Sequence, residues 1–168
     1  MESELSCYTD GKSLGNPGKS YAIVLFDRDV EESNTHYWES DYATNNIAEY
    51  NGLLLAIKKC PPNTTLHVYS DSKLMVEQTK GNWKCKDLTL SELLEEIKKL
   101  KSEKNIKLNI NWIPREENKA DFVLNNHLEK SEPATEKQKK YLKDLGISFD
   151  ENISKIEASG LISNKLKS

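Results

Sequence analysis

Four carboxylates, Asp10, Glu49, Asp71 and Asp121, stand where predicted strands and helices meet. Asp10 ends the strand pattern that runs into "CYTDGKSLGNPG", and Asp71 ends "TLHVYSD". Glu49 shares a helical row with Leu53 and Ala56, which turns it inward, and Asp121 opens the helix that follows "IKLNINWIP". If the strands ending in Asp10 and Asp71 are parallel neighbours, about 4.8 Å apart, both acids emerge at the carboxyl edge of one sheet, where α/β folds hold ligands. Each acid also has an ordinary reading. Asp10 before Gly11 suits a turn, Asp71 suits a helix N-cap, and Asn46 with Glu49 and Asn118 with Asp121 resemble capping boxes. As a set the acids are harder to explain that way. Two like charges about 4 Å apart repel by about 4 kcal/mol at an effective dielectric of 20, so four converging carboxylates need cations or protons. An all-oxygen donor set selects hard cations, Mg²⁺ or Mn²⁺, over zinc, and two such ions can clamp the attacking and leaving oxygens of a phosphodiester.

The elements that must position these acids are legible in the pattern. Glu4 to Thr9, Ser20 to Asp27 and Thr35 to Tyr42 read as consecutive antiparallel strands joined by short loops. From Asn46 the period turns helical through Ile47, Tyr50, Leu54 and Ile57, with a second row at Leu53, Ala56 and Cys60, until "CPPN" stops it. "TLHVYSD" is a fourth strand, and a helix from Ser72 to about Lys80 follows it. An amphipathic helix through Leu90, Leu93, Leu94, Ile97 and Leu100 comes next, with Thr89 and Glu92 as its capping box. "IKLNINWIP" is a fifth strand and Lys119 to Glu129 a last helix. The fold class is α/β, a five-stranded mixed sheet flanked by helices, with right-handed parallel crossovers in its second half. Past Lys130 the texture shifts at "SEPAT"; Thr135 with Gln138 and Ser154 with Glu157 read as capping boxes around a stop at Gly146. The predicted organisation is a domain over 1–130 and a helical hairpin over 131–168. So short a hairpin rarely holds a core alone, so it is expected to dock, dimerise or bind something else.

Composition narrows the class. In 168 residues, 24 basic against 27 acidic side chains give a net charge of −3, so nucleic-acid binding would need a local basic surface or metal ions. No apolar run reaches membrane-spanning length and "MESELS" does not begin a leader, which predicts a cytoplasmic protein with no membrane partner. Cys7, Cys60 and Cys85 are odd in number and lack metal spacing, so they are read as reduced thiols.

In order and spacing, "YTDGKSLGNPG", "ATNNIAEYNGLLLAI", "VYSDSKLMVEQTKGNWK" and "WIPREENKADFVLN" resemble type 1 ribonuclease H over about the first 130 residues. The resemblance implies the ribonuclease H-like fold, two Mg²⁺ or Mn²⁺ ions, and hydrolysis of the RNA strand of RNA–DNA hybrids to 5′-phosphate and 3′-hydroxyl ends. By position, Asp10 would bridge both ions, Glu49 and Asp71 would complete the ion beside the leaving group, and Asp121 would hold the other. Gly11, Asn16, Asn45 and Asn46 would touch 2′-hydroxyls and the minor groove, with helix capping as the other reading of the two adjacent asparagines. Trp83, set among lysines in "KGNWKCK", would contact the hybrid or fill the core. Two departures stand out. The loop "PREENKAD" has no histidine, unlike many members, and its Arg115 and Glu116 read as solvated charges; Ser20 and Ala22 replace glycines, which reads as strand tuning. The alternatives are a catalytically silent nucleic-acid-binding module of the same fold and a DNA nuclease of the wider superfamily. The tail resembles helical modules of phage and bacterial nucleic-acid enzymes.

Overall fold

The computed structural model describes residues 3–30 and 33–167, so the first two residues of the acidic start lie outside the described residues. Strands β1 (Ser3–Ser13), β2 (Gly18–Val30) and β3 (Ser33–Ala43) lead into helix α1 (Asn45–Lys59). Strand β4 (Thr64–Ser70), helices α2 (Lys73–Lys80) and α3 (Leu88–Glu103), strand β5 (Lys107–Trp112), a 3-10 turn at Arg115–Glu117 and helix α4 (Lys119–Ser131) follow. Helices α5 (Glu136–Asp144) and α6 (Lys155–Lys167) end the chain. The sheet order is β3-β2-β1-β4-β5. Pairings are antiparallel from β1 to β2 and β2 to β3, and parallel from β1 to β4 and β4 to β5. Each parallel link is reached through helices, as the switch of sequence period from two to 3.6 requires.

The core lies between one sheet face and α1. Leu66 and Val68 of β4, Cys7 of β1 and Phe26 of β2 meet Tyr50, Leu53 and Ile57 of α1, with Leu94 and Ile97 of α3 in the same cluster. Burying side chains of this size contributes about 1.5–3 kcal/mol each. Thr44 caps α1 by accepting from the Ile47 N–H (3.1 Å), and extended Cys60 before two prolines ends it. Asn46 is therefore not the cap. On α3 the cap is Asp87, which accepts from the Leu90 N–H (2.9 Å), rather than the expected Thr89 and Glu92 pair. Both differences have one cause: several capping side chains lie within two residues, and only packing of the buried face fixes where the first turn begins.

The chain divides into two compact units between Phe122 and Val123. The second has its own small core, Ala134, Leu142, Ile153 and Ala158, with Ile147, Phe149 and Ile162 against it. Thr135 and Gln138 make the reciprocal capping box of α5, Gly146 takes a left-handed φ of 72°, and Ser154 caps α6 by accepting from the Glu157 N–H (3.1 Å). No helix among the described residues is long and apolar enough to cross a membrane.

Candidate active site

Strands β1 and β4 pair in parallel only as far as Tyr8 with Tyr69. Beyond that point β1 continues to Ser13 against β2 alone, with Asp10 opposite Ile23. Asp10 thus lies inside a strand, not at its end, and the turn reading fails. The sheet opens at the place where Asp10 stands, and Asp71 leaves β4 two residues past the same pair. Asp71 is not a helix cap either: Ser72 caps α2, accepting from the Met75 N–H (3.3 Å). The Trp112 indole N–H donates to the Asp71 carbonyl (3.1 Å), which fixes that turn while leaving the carboxylate to the cleft. Asp121 arrives in the first turn of α4. The start of that helix is tied to β1 by Asn118, whose Nδ2 donates to the Thr9 carbonyl (3.0 Å) and whose Oδ1 accepts from Ala120 N–H (3.1 Å).

One carboxylate oxygen from each of Asp10, Asp71 and Asp121 lies within 4.8 Å of the others. They line a cleft of about 400 Å³ together with Glu49, Asn45 and Arg115. Glu49 comes from α1, which touches β1 backbone to backbone. A methyl on Gly11 would overlap the Ala48 carbonyl and the Glu49 amide, and one on Gly52 would come within 3.2 Å of the Asp10 carbonyl oxygen. The absent side chain of Gly11 is thus explained by α1, not by room for a ligand. Its N–H donates to Glu49 Oε1 (2.7 Å), while Glu49 Oε2 is buried with no hydrogen-bond partner among the described residues.

Burial first, then repulsion from Asp71 and Asp121, pushes Asp10 up to about 7, although the neighbouring Glu49 carboxyl works the other way. Burial and then the charge of Asp10 hold Glu49 well above the usual carboxylate range, and burial followed by Asp121 raises Asp71. At neutral pH the cluster therefore retains protons unless cations replace them. A lone oxygen orphaned in a buried, all-oxygen site is what a hard divalent ion satisfies, so these residues fit Mg²⁺ or Mn²⁺. Arg115, expected to be a solvated charge, instead pairs through Nε with Asp121 Oδ1 (3.3 Å) at the cleft rim.

The other expected contacts fall into two groups. Gly11 and Asn45 line the cleft, and Asn16 is joined to Asn45 through its Oδ1 (3.0 Å). Asn46 is exposed at the start of α1. Trp83 lies outside the acid cluster, 45% exposed on the turn after α2, so it does not fill the core. That turn is held by Gln78, which donates to the Lys84 carbonyl (3.1 Å) and accepts from the buried Tyr50 hydroxyl. Ser20, read as strand tuning, donates to the carbonyls of Gly18 and Ala43 and so ties β2 to the end of β3. Ser13 and Trp112 escaped the sequence reading, because the groups they hold, the Asn45 side chain and the Asp71 carbonyl, lie 32 and 41 residues away along the chain and come within reach only once the strands are paired.

The family model described as "Reverse transcriptase-like" matches residues 9–127, a span holding all four acids. The crystal structure of LC11-RNase H1 in complex with an RNA/DNA hybrid aligns at a TM-score of 0.64 and 30% identity, covering 74% of this chain and 99% of that one. The chain belongs to the ribonuclease H family. Another family structure, the N-terminal RNase H domain of rv2228c from Mycobacterium tuberculosis fused to maltose binding protein, aligns at a TM-score of 0.60 and 32% identity, covering 74% of this chain and 92% of that one. In sequence, "Bifunctional protein Rv2228c" of Mycobacterium tuberculosis is 37% identical over 128 residues, 71% of this chain and 34% of that protein. The chain thus matches only about a third of that relative's length. The ribonuclease H fold, a five-stranded mixed sheet flanked by helices, agrees with the sequence expectation.

Proposed function

We propose that the protein is a metal-dependent endonuclease that hydrolyses the RNA strand of RNA–DNA hybrids. The observation that carries this reading is the meeting of Asp10, Asp71 and Asp121 within 4.8 Å, beside a buried Glu49 oxygen that has no partner. Two Mg²⁺ or Mn²⁺ ions, when bound, supply Lewis acidity to the scissile phosphodiester and a nucleophile from water. Asp10 with Glu49 and Asp71 would hold one ion, and Asp10 with Asp121 the other. Gly11 N–H holds Glu49 in position, Arg115 holds Asp121, and the Trp112 indole holds the Asp71 turn. Gly11, Asn16, Asn45 and Asn46 would meet the minor groove and its 2′-hydroxyls, and Trp83 would meet the backbone farther along. The family neighbour solved with an RNA/DNA hybrid supports the choice of substrate. The three unpaired thiols suit a reducing cytoplasm.

Residues 1–130 would form the catalytic domain and 131–168 an extension that docks, dimerises or binds nucleic acid. The test is a panel of labelled hybrid, double-stranded RNA and double-stranded DNA, each with Mg²⁺, Mn²⁺ or EDTA, run on the full chain and on residues 1–130. Both are expected to cut only the RNA of the hybrid, only with metal, leaving 5′-phosphate and 3′-hydroxyl ends. Cyclic phosphate products overturn the metal-ion reading. Cleavage of the DNA duplex makes the protein a DNA nuclease, and binding without cleavage makes it a silent module. Loss of all cleavage in a folded 1–130 places part of the site in the extension.

A further inference from the structure

The C-terminal unit carries a groove of its own. Helices α5 and α6 begin at the same end, where the Ala134 N–H donates to the Ile153 carbonyl (2.9 Å) and the Lys155 N–H to the Glu132 carbonyl (2.7 Å). Beside them opens a cavity of about 500 Å³, lined by Lys137, Gln138, Lys140, Tyr141 and Asp144 of α5 and by Ile162 of α6. Tyr141 is 42% exposed, although Leu142 next to it is fully buried. The lysines of α5 are sorted in the same way. Lys139 has a mostly buried side chain and pairs with Glu136 and Glu151. Lys137, Lys140 and Lys143 are exposed, and none of the three makes an ion pair among the described residues. They recur every three residues, and Tyr141 follows Lys137 by four, so cations and ring share one side of the helix. The polar side chain in the groove is already engaged: Gln138 donates to the Lys155 carbonyl (3.2 Å) and Ser159 Oγ (3.1 Å) and accepts from the Thr135 N–H (3.0 Å). What remains for a ligand is an aromatic face and positive charge.

We propose that this groove binds the DNA strand that hydrolysis of the RNA leaves single-stranded, with Tyr141 stacked on a base and Lys137, Lys140 and Lys143 along the phosphates. The proposal rests on the function given above, which supplies the strand. Charge complementarity selects a polyanion, because the outward lysines repel one another until an anion lies along them. The exposed ring selects unpaired bases, whose faces are open to stacking only outside a duplex. Hydrolysis leaves the RNA in pieces and the DNA continuous, so the DNA is the strand long enough to stay held. Asp144 is the one acid of the lining, against two lysines. Two other occupants fit less well. A second copy on a two-fold axis would set lysines against lysines. An acidic amphipathic helix needs a row of apolar anchors, whereas the lining offers Tyr141 and Ile162.

The test is fluorescence anisotropy of labelled oligo(dT) with the full chain across a salt series in EDTA, where the metal-free acid cleft repels phosphate. Wild type is expected to bind. Tyr141→Ala should weaken binding about tenfold and Tyr141→Phe should retain it, as the loss and the retention of one stacked base require. The double variant Lys137→Gln, Lys140→Gln should flatten the slope of log Kd against log salt by about 1.4, since each lysine on a single strand contributes about 0.7. Should Tyr141→Ala fail to fold by circular dichroism, the slope decides alone. Wild-type affinity in Tyr141→Ala, lost affinity in Tyr141→Phe or an unchanged slope overturns the proposal. So does oligo(rU) bound about tenfold more tightly than oligo(dT), which gives the groove to RNA. A wild-type dimer that Tyr141→Ala turns into a monomer gives it to a second copy, and displacement of oligo(dT) by polyglutamate at equal charge gives it to an acidic protein; either overturns the proposal. A chain that binds oligo(dT) as expected but cuts no hybrid loses the proposed function and with it the source of the strand. One that cuts hybrid but does not bind oligo(dT) loses the groove alone.

Discussion

The acid cleft and the C-terminal helical unit handle polar groups in opposite ways. In the cleft, Asp10 and Glu49 are 5% and 7% exposed, and one Glu49 oxygen is left without a partner. In the helical unit the polar side chains close on one another. Thr135 and Gln138 cap α5 reciprocally, Gln138 also reaches the Lys155 carbonyl and Ser159 Oγ, and Lys139 lies between Glu136 and Glu151. A buried carboxylate costs stability unless something compensates it, whereas a capping box adds about 1 kcal/mol. The contrast separates polar groups arranged for cations from polar groups arranged to keep a unit folded, and each prediction below tests one side of it.

The largest effect is expected on cleavage. Asp10→Asn removes the acid common to both proposed ion sites, and turnover of hybrid in Mg²⁺ should fall by orders of magnitude. Retention of more than about a tenth of wild-type turnover would show that Asp10 is not shared between ions. Next comes the response to metal. An ion that binds only the folded protein stabilises it by about 2.7 kcal/mol at a hundredfold excess over its Kd, so the wild-type Tm should climb several degrees through a Mg²⁺ or Mn²⁺ titration. Asp10→Asn should gain little. In EDTA the order reverses: the variant should melt at or about 2–4 °C above wild type, because about 1 kcal/mol of screened repulsion is relieved. A variant melting several degrees lower would make Asp10 a structural anchor.

The pH dependence of the metal-free protein is a smaller signal of fixed sign. Asp10 is raised from 3.8 to about 7 by folding, so between those values the folded state holds a proton that the unfolded chain has lost. That contribution is complete below about pH 4 and disappears as pH rises through about 7, so the apo Tm should drop across this window. Asp10→Asn should flatten the drop, and an unchanged slope would place the proton elsewhere. The smallest effect belongs to the other region. Thr135→Ala should cost about 1 kcal/mol in denaturant unfolding of the helical unit, with hybrid turnover unchanged. A matching loss of turnover would tie the two regions together in function.

Strand alternation, the broad apolar face of α1 and the stop at "CPPN" were enough to read the sheet and the order of its elements, because period and punctuation are local. All four acids could be named for the same reason. Their exact settings could not. Asp10 reads as a strand end because a glycine follows it, yet β1 runs on beside β2 to Ser13 after its pairing with β4 has stopped at Tyr8. The caps went to Thr44 and Asp87 although neighbouring Asn46 and Thr89 also favour that position. For Gly11 the sequence reading expects a contact with the hybrid, whereas the space of its missing side chain is taken by the backbone of α1, brought there by packing of the whole helix.

That contact has a mechanical consequence. Where Gly11 and Gly52 let α1 and β1 meet main chain to main chain, the separation of Asp10 and Glu49 is set by the two backbones, with no side chain acting as a spacer. Spacers wear: a substituted core residue shrinks, shifts rotamer or loosens with heat, and whatever it held apart drifts. A joint with nothing in it has no such part to lose. The two acids should therefore keep their alignment through extensive replacement of the hydrophobic interior, and lose it together on the gain of a single methyl group at Gly11.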